Sequence, residues 1–200
     1  MLRVLEADGP NKMLDELKRL SALGSSSAAV VLAFVSLLPR ADGSRDPGHA
    51  IELLKSHAKA GDPYALFMYS WALLYSGDHP SAIVSMKRSA DAGFPPAALD
   101  MATYAWNARP AGERNPHQAL KLLGLADRVH HKASWVWRCT FYRSGRFGTA
   151  RRALGYLLMP LARLRYVLAL WLDPLSCRVF MFPTWAKGPL LRNTPDSYQE

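Results

Sequence analysis

HAIELLKSHAKAGDPYALFMYSWALLYSG, residues 49–77, holds one complete structural unit. Ala50, Leu53, Leu54 and Ala58 recur at helical spacing, so one stripe of a first helix is apolar. Gly61 then ends that helix, because glycine adopts a left-handed conformation at little cost. Asp62 stands where an N-cap belongs, with Pro63 at the first helical position of a second helix. That second helix runs to Gly77, and Asp78, His79 and Pro80 are expected to form the following loop.

The same pattern repeats. Gly24, Gly61 and Gly93 are each followed four residues later by an alanine: Ala28, Ala65 and Ala97. Four residues further come Leu32, Tyr69 and Met101, and beside them the small residues Ala33, Ser70 and Ala102. Val129, Ala133, Trp137 and Arg138 form a degraded fourth copy. The copies start 37, 32 and 36 residues apart. A period of this size predicts an all-α fold, an α/α solenoid of about four helical hairpins. The expected helix pairs are 13–23 with 25–38, 49–60 with 63–76, 82–92 with 95–106, and 118–128 with 132–142. The loops PRADGSRDPG (39–48) and RPAGERNP (109–116) separate them. Ala65 and Ser70 are small so that the second helix of each pair can approach its neighbours closely.

These spacings resemble the Sel1-like repeat, a relative of the tetratricopeptide repeat. The resemblance covers about residues 13–145 and is clearest in the second and third copies. The family often carries glutamine after the alanine; Ala29, Leu66, Ala98 and Ser134 stand there instead, and Leu53 and Leu54 replace an aromatic pair. The resemblance implies an interaction scaffold, often serving the assembly or regulation of bacterial complexes, and no catalytic residue.

Composition divides the chain. Residues 1–137 hold 15 Lys/Arg against 13 Asp/Glu, whereas residues 138–192 hold ten against Asp173 alone. Residues 193–200 add Asp196 and Glu200, so residues 138–200 carry +7 of the overall +9 and the excess belongs to the C-terminal third. Such a patch attracts anionic membrane or nucleic acid, or simply keeps the surface soluble. Cys139 and Cys177 are the only cysteines and form no CxxC pair, which fits a reducing compartment. Acidic residues Glu6, Asp8, Asp15 and Glu16 precede any apolar run, so the N-terminus does not read as a signal peptide. Three segments result: 1–12, the repeats at 13–145, and a basic, apolar segment at 146–200.

That last segment contains ALGYLLMPLARLRYVLALWL, residues 153–172, as long as a membrane span. Pro160, Arg163 and Arg165 argue against simple crossing. A central arginine costs about 2.5–3.5 kcal/mol, while each Leu or Val returns about 0.3–0.6. Two readings stay open. The segment is a helical cap, broken at Pro160, over the last apolar face of the solenoid. Alternatively it lies in a membrane interface, with Arg151, Arg152, Arg163 and Arg165 at lipid phosphates and Trp171 as an anchor. Arg152 and Arg163 fall on nearly one side of a helix and Arg165 well away from them, which a clean amphipathic helix would avoid. The tail beyond it carries Phe180, Phe182 and Trp185, whose apolar rings favour docking.

No phosphate loop, metal-ligand cluster or nucleophile elbow is present, and no cofactor or metal is expected. His130 and His131 are adjacent and read as a solvated turn. Trp71, Trp106, Trp135 and Trp137 read as core residues of second helices. The expected function is a non-enzymatic protein-binding scaffold in the cytoplasm. Its candidate partner contacts are Lys55, Lys59, Lys87 and Arg88. The alternative is a membrane-peripheral adaptor at the inner membrane, bound to anionic lipid through residues 146–178. Nucleic acid and small-molecule substrates rank below both.

Overall fold

Gly24, Gly61 and Gly93 have φ of 89°, 85° and 86°, a conformation that costs residues with a Cβ about 1–2 kcal/mol. At the first two of these turns the chain closes the same hydrogen bond. The Ser25 amide donates to the Leu20 carbonyl (3.0 Å) and the Asp62 amide to the His57 carbonyl (3.2 Å). These bonds satisfy carbonyls that a helix end would otherwise leave unpaired. The next helix is capped at once. The Ser25 hydroxyl accepts from the Ala28 amide, and the Asp62 carboxylate accepts from the amides of Tyr64 and Ala65. The turn-and-cap sequence that the repeat spacing predicts is the one that forms.

A computed structural model describes residues 2–107, 115–128 and 131–172, with residues 2–11 and Asn107 described as backbone alone. Among the described residues there are nine helices and no strand. They are α1 (Leu2–Ala22), α2 (Ser26–Leu37), α3 (Pro47–Lys59), α4 (Pro63–Ser76), α5 (His79–Asp91), α6 (Pro95–Asn107), α7 (Pro116–Arg128), α8 (Ser134–Arg143) and α9 (Thr149–Leu172). The chain divides into two compact units, Met1–Ala92 and Gly93–Glu200, so the boundary falls inside the third copy of the repeat. Within each unit, helices consecutive in sequence pack on one another in a solenoid-like arrangement.

In the first unit α4 is the central helix. Ala65, Leu66, Phe67, Met68, Ser70, Trp71, Ala72, Leu73 and Leu74 are all buried, so it is apolar all round, as a helix enclosed by neighbours must be. It packs against α2, α3 and α5. The small residues named by the repeat, Ala33, Ala65 and Ser70, have no exposed surface. Two hydroxyls join the helices. Ser26 on α2 donates to the Asp62 carboxylate (2.5 Å), and Ser89 on α5 donates to the Pro63 carbonyl (2.6 Å). The second unit centres on Leu99, Ala102, Ala119, Leu123, Ala133 and Phe141, with Trp106 stacked on Phe141 at 4.1 Å between ring centroids.

Several boundaries differ from the expectations. The backbone is helical from Leu2 rather than from Met13. His79 and Pro80 are the first turn of α5, with Asp78 as its N-cap, so the turn after α4 is only Gly77 and Asp78. Pro tolerates a first turn, where its missing N–H has no helical partner anyway. The loop 39–48 is shortened in the same way, since Asp46 caps α3 and Pro47 begins it.

The fourth copy runs one residue later than its spacing suggests. His131 is buried rather than solvated. Its amide donates to the Ala126 carbonyl (2.8 Å) and its Nδ1 accepts from the Ala133 amide (3.2 Å). His131 thus occupies the place of Ser25 and Asp62, and the buried small residue is Cys139 rather than Arg138. The loop 108–114, Val129, His130 and the tail 173–200, with Cys177, Phe180, Phe182 and Trp185, lie outside the described residues.

Candidate interaction surfaces

In the first unit, α1 and α3 stand on either side of α2 and leave a hollow of about 410 Å³. Leu14, Leu32, Val35 and Leu53 give it an apolar lining, and Lys18, Ser21, Ser36 and His49 add polar groups. This volume is at the small end of ligand-sized cavities. Val35 remains exposed although it is apolar.

The four residues proposed from sequence as partner contacts are all exposed but do not line this hollow. Lys55 and Lys59 lie one turn apart on α3, and Lys87 lies on α5. Arg88 has a structural use as well: its guanidinium donates to the Ala58 carbonyl (3.5 Å) and so covers the C-terminal end of α3. A cation there also complements the helix dipole. The hollow was missed in the sequence because it arises from residues on three helices, and no local motif marks it.

The Asp62 carboxylate accepts from the Ser26 hydroxyl and from the amides of Tyr64 and Ala65. Burial pushes its carboxyl up. The Ser26 hydroxyl, the Ala65 and Tyr64 amides and the charge of His57 outweigh that effect and hold it below the usual carboxylate range.

In the second unit, α9 packs against α8 through a narrow stripe. Gly155, Met159 and Ala162 are buried, and Cys139 of α8 lies in the same cluster. Tyr166 continues the stripe against the core of the unit. The cap is therefore present, but it is one continuous helix through Pro160 and not a broken pair. Gly155 makes the close approach possible. A Cβ there would lie 2.8 Å from the Cys139 carbonyl oxygen, 2.9 Å from the Arg143 nitrogen and 2.9 Å from the Tyr142 Cβ.

The stripe explains the scattered arginines. Successive residues turn by about 100°, so Arg163 and Arg165 stand about 160° apart, one on each side of the buried stripe. The rest of the circumference is apolar. Leu154, Leu157, Leu161, Leu164, Val167, Leu168, Trp171 and Leu172 are exposed, with Leu157 at 76 %, Trp171 at 86 % and Leu172 at 81 %. The expectation that the position of Arg165 spoils an amphipathic helix is corrected, because the buried side lies between the two arginine rows. Only 17 % of the most apolar stretch of this helix is buried, so it is not a core helix. It is also the one helix among the described residues that is long and apolar enough to cross a membrane.

Aromatic rings hold several arginines in place. Arg165 lies over the Trp135 ring (4.9 Å), Arg143 over Tyr156 (4.5 Å) and Arg146 over Trp106 (4.7 Å). Arg151 lies near Tyr142 and Phe147. Hydrogen bonds from Arg143 and Arg152 to the Tyr156 hydroxyl hold its pKa below the ordinary tyrosine value. Trp135 is thus exposed beneath an arginine rather than part of the core, whereas Trp71 is buried as expected. Among the described residues, Arg151, Arg152, Arg163 and Arg165 form no ion pair with a carboxylate. By contrast Arg138 is paired with Asp127, which also accepts from the Ser134 hydroxyl. Burial pushes the Cys139 thiol pKa up, against the charge of Arg138. Among the described residues no group of three or more His, Cys, Asp or Glu could hold a metal ion.

No protein-family model matches the chain, and neither does any of the curated proteins with which it was compared.

Proposed function

We propose that this chain is a non-enzymatic scaffold of divergent Sel1-like repeats that holds a protein partner in the bacterial cytoplasm, serving assembly or regulation of a larger complex. The partner contributes a polypeptide segment whose apolar side chain seats in the hollow between α1 and α3. The observation that carries this is the hollow itself: an apolar lining of Leu14, Leu32, Val35 and Leu53 beside polar groups, with α2 and α3 capped by Ser25 and Asp46. Apolar anchors in small pockets contribute most of the affinity in many protein interfaces. The hairpin packing and the glycine-turn spacing support the repeat assignment.

Affinity capture from the chain's own host, comparing the wild type with Val35→Glu, tests the proposal. Val35 is exposed, so the variant keeps the fold, which far-UV circular dichroism checks. The expected result is loss of a partner that the wild type captures. Retention of every captured protein by the folded variant would refute this placement of the site.

A further inference from the structure

We propose that the outer face of α9 lies on an anionic lipid bilayer, parallel to its surface. The helix is 24 residues long, about 36 Å. Its outward side presents Leu154, Leu157, Leu161, Leu164, Leu168 and Trp171 without a charged residue among them. Arg163 borders one side of this apolar band, and Arg151 and Arg165 border the other. A helix seated in the headgroup region buries its apolar face about 5–10 Å deep and sets cations at the level of the phosphates. The geometry of α9 meets both requirements, and its remaining side is already occupied by α8.

Charge selects the occupant. From Arg138 to Leu172 the sequence has seven arginines and no acidic residue. A second copy laid face to face would set arginine rows against arginine rows, and like charges oppose that pairing. The segment that follows, 173–200, carries Arg178, Lys187 and Arg192 against Asp173, Asp196 and Glu200, so it has no net negative charge to match the arginine margins. Anionic headgroups do. Each arginine near such a surface adds roughly five-fold to binding. Crossing the bilayer fits less well, because Arg163 and Arg165 would sit near its centre.

The docked cap also gives this surface its stiffness. Arg165 is held over Trp135 and Arg151 near Phe147, so two of the marginal cations are positioned before any lipid arrives. Preorganisation of this kind reduces the entropy lost on binding.

Flotation of the full-length chain with vesicles is the test. The vesicles are phosphatidylcholine alone, or phosphatidylcholine with about one-third phosphatidylglycerol, a content at which the surface potential is substantial. The wild type is expected to float with the anionic vesicles at low salt, to be released by high salt, and to bind zwitterionic vesicles far less. Arg163→Gln with Arg165→Gln should weaken anionic binding roughly 25-fold. Leu157→Glu with Leu164→Glu should abolish it, with helix content retained because both positions are exposed. Failure of the wild type to float, or undiminished flotation of the folded leucine variant, overturns the proposal. So does dimerisation in sedimentation velocity that the leucine variant removes, since the occupant would then be a second copy. Vesicle attachment that resists both high salt and alkaline carbonate would also overturn it, in favour of a crossing helix.

Discussion

Replacing Gly155 by alanine should pull α9 off α8, and Gly124 supplies the control within the same unit. Both glycines are inside helices. In an open helical position the exchange stabilises a protein by roughly 0.4–1 kcal/mol, because alanine has the better helix propensity and restricts the unfolded chain. Gly124 is such a position: a Cβ there would meet nothing within 4 Å. At Gly155 the new Cβ would lie under 3.0 Å from two backbone atoms of α8 and from the Tyr142 Cβ. Backbone cannot rotate out of the way, so the helices must separate by several tenths of an ångström along the whole contact. Overpacking of this kind costs about 1–3 kcal/mol. After the propensity gain is subtracted, Gly155→Ala should still destabilise by up to about 2 kcal/mol, while Gly124→Ala stabilises. Thermal unfolding read by circular dichroism should separate the two by roughly 5–15 °C for a unit of this size. Proteolysis should cut α9 faster in the Gly155 variant. Equal stabilisation by both alanines would mean that α9 does not pack on α8 through Gly155.

Asp62→Ala removes the α4 cap and the link to Ser26, and should cost about 0.5–2 kcal/mol in urea denaturation. Because the folded-state pKa of Asp62 is lowered, its contribution is present above the unfolded value near 3.8 and is lost as pH falls through the folded value. The stability gap between wild type and variant should therefore hold from neutral pH to about pH 5 and narrow in stronger acid. A gap unchanged at pH 2 would show that the carboxylate is not the stabilising form. Ala65→Leu inserts three carbons where no surface is exposed and should cost about 1–3 kcal/mol by the same assay; a neutral result would contradict close packing of α4 on its neighbours.

The sequence marked those parts of the fold that depend on single residues. Gly61, Asp62 and Pro63 each act locally, through backbone conformation, a cap and a missing N–H, so their order is readable one residue at a time. The fourth turn differs from its expected place because His131 stands where Ser25 and Asp62 stand in the earlier copies and accepts from the Ala133 amide ahead of α8, and a histidine does not mark such a turn in the sequence. Pro160 was expected to break α9. It lies on the exposed side, and the stripe of Gly155, Met159 and Ala162 holds the helix on α8 across it. The hollow between α1 and α3 had no sequence signal, since Leu14, Leu32 and Leu53 belong to three helices. The arginine pattern of α9 was visible as residues but not as a surface. Which side is buried depends on Gly155, and that choice turns scattered cations into two margins around one apolar face.

Protein capture and vesicle binding measured on the same two variants test the central claim most directly, that the repeats and the outer face of α9 are separate binding surfaces. The prediction is that Val35→Glu loses the captured protein and still floats with anionic vesicles, while Leu157→Glu with Leu164→Glu keeps the protein and no longer floats. Loss of both activities in either folded variant, or loss of neither, would contradict it.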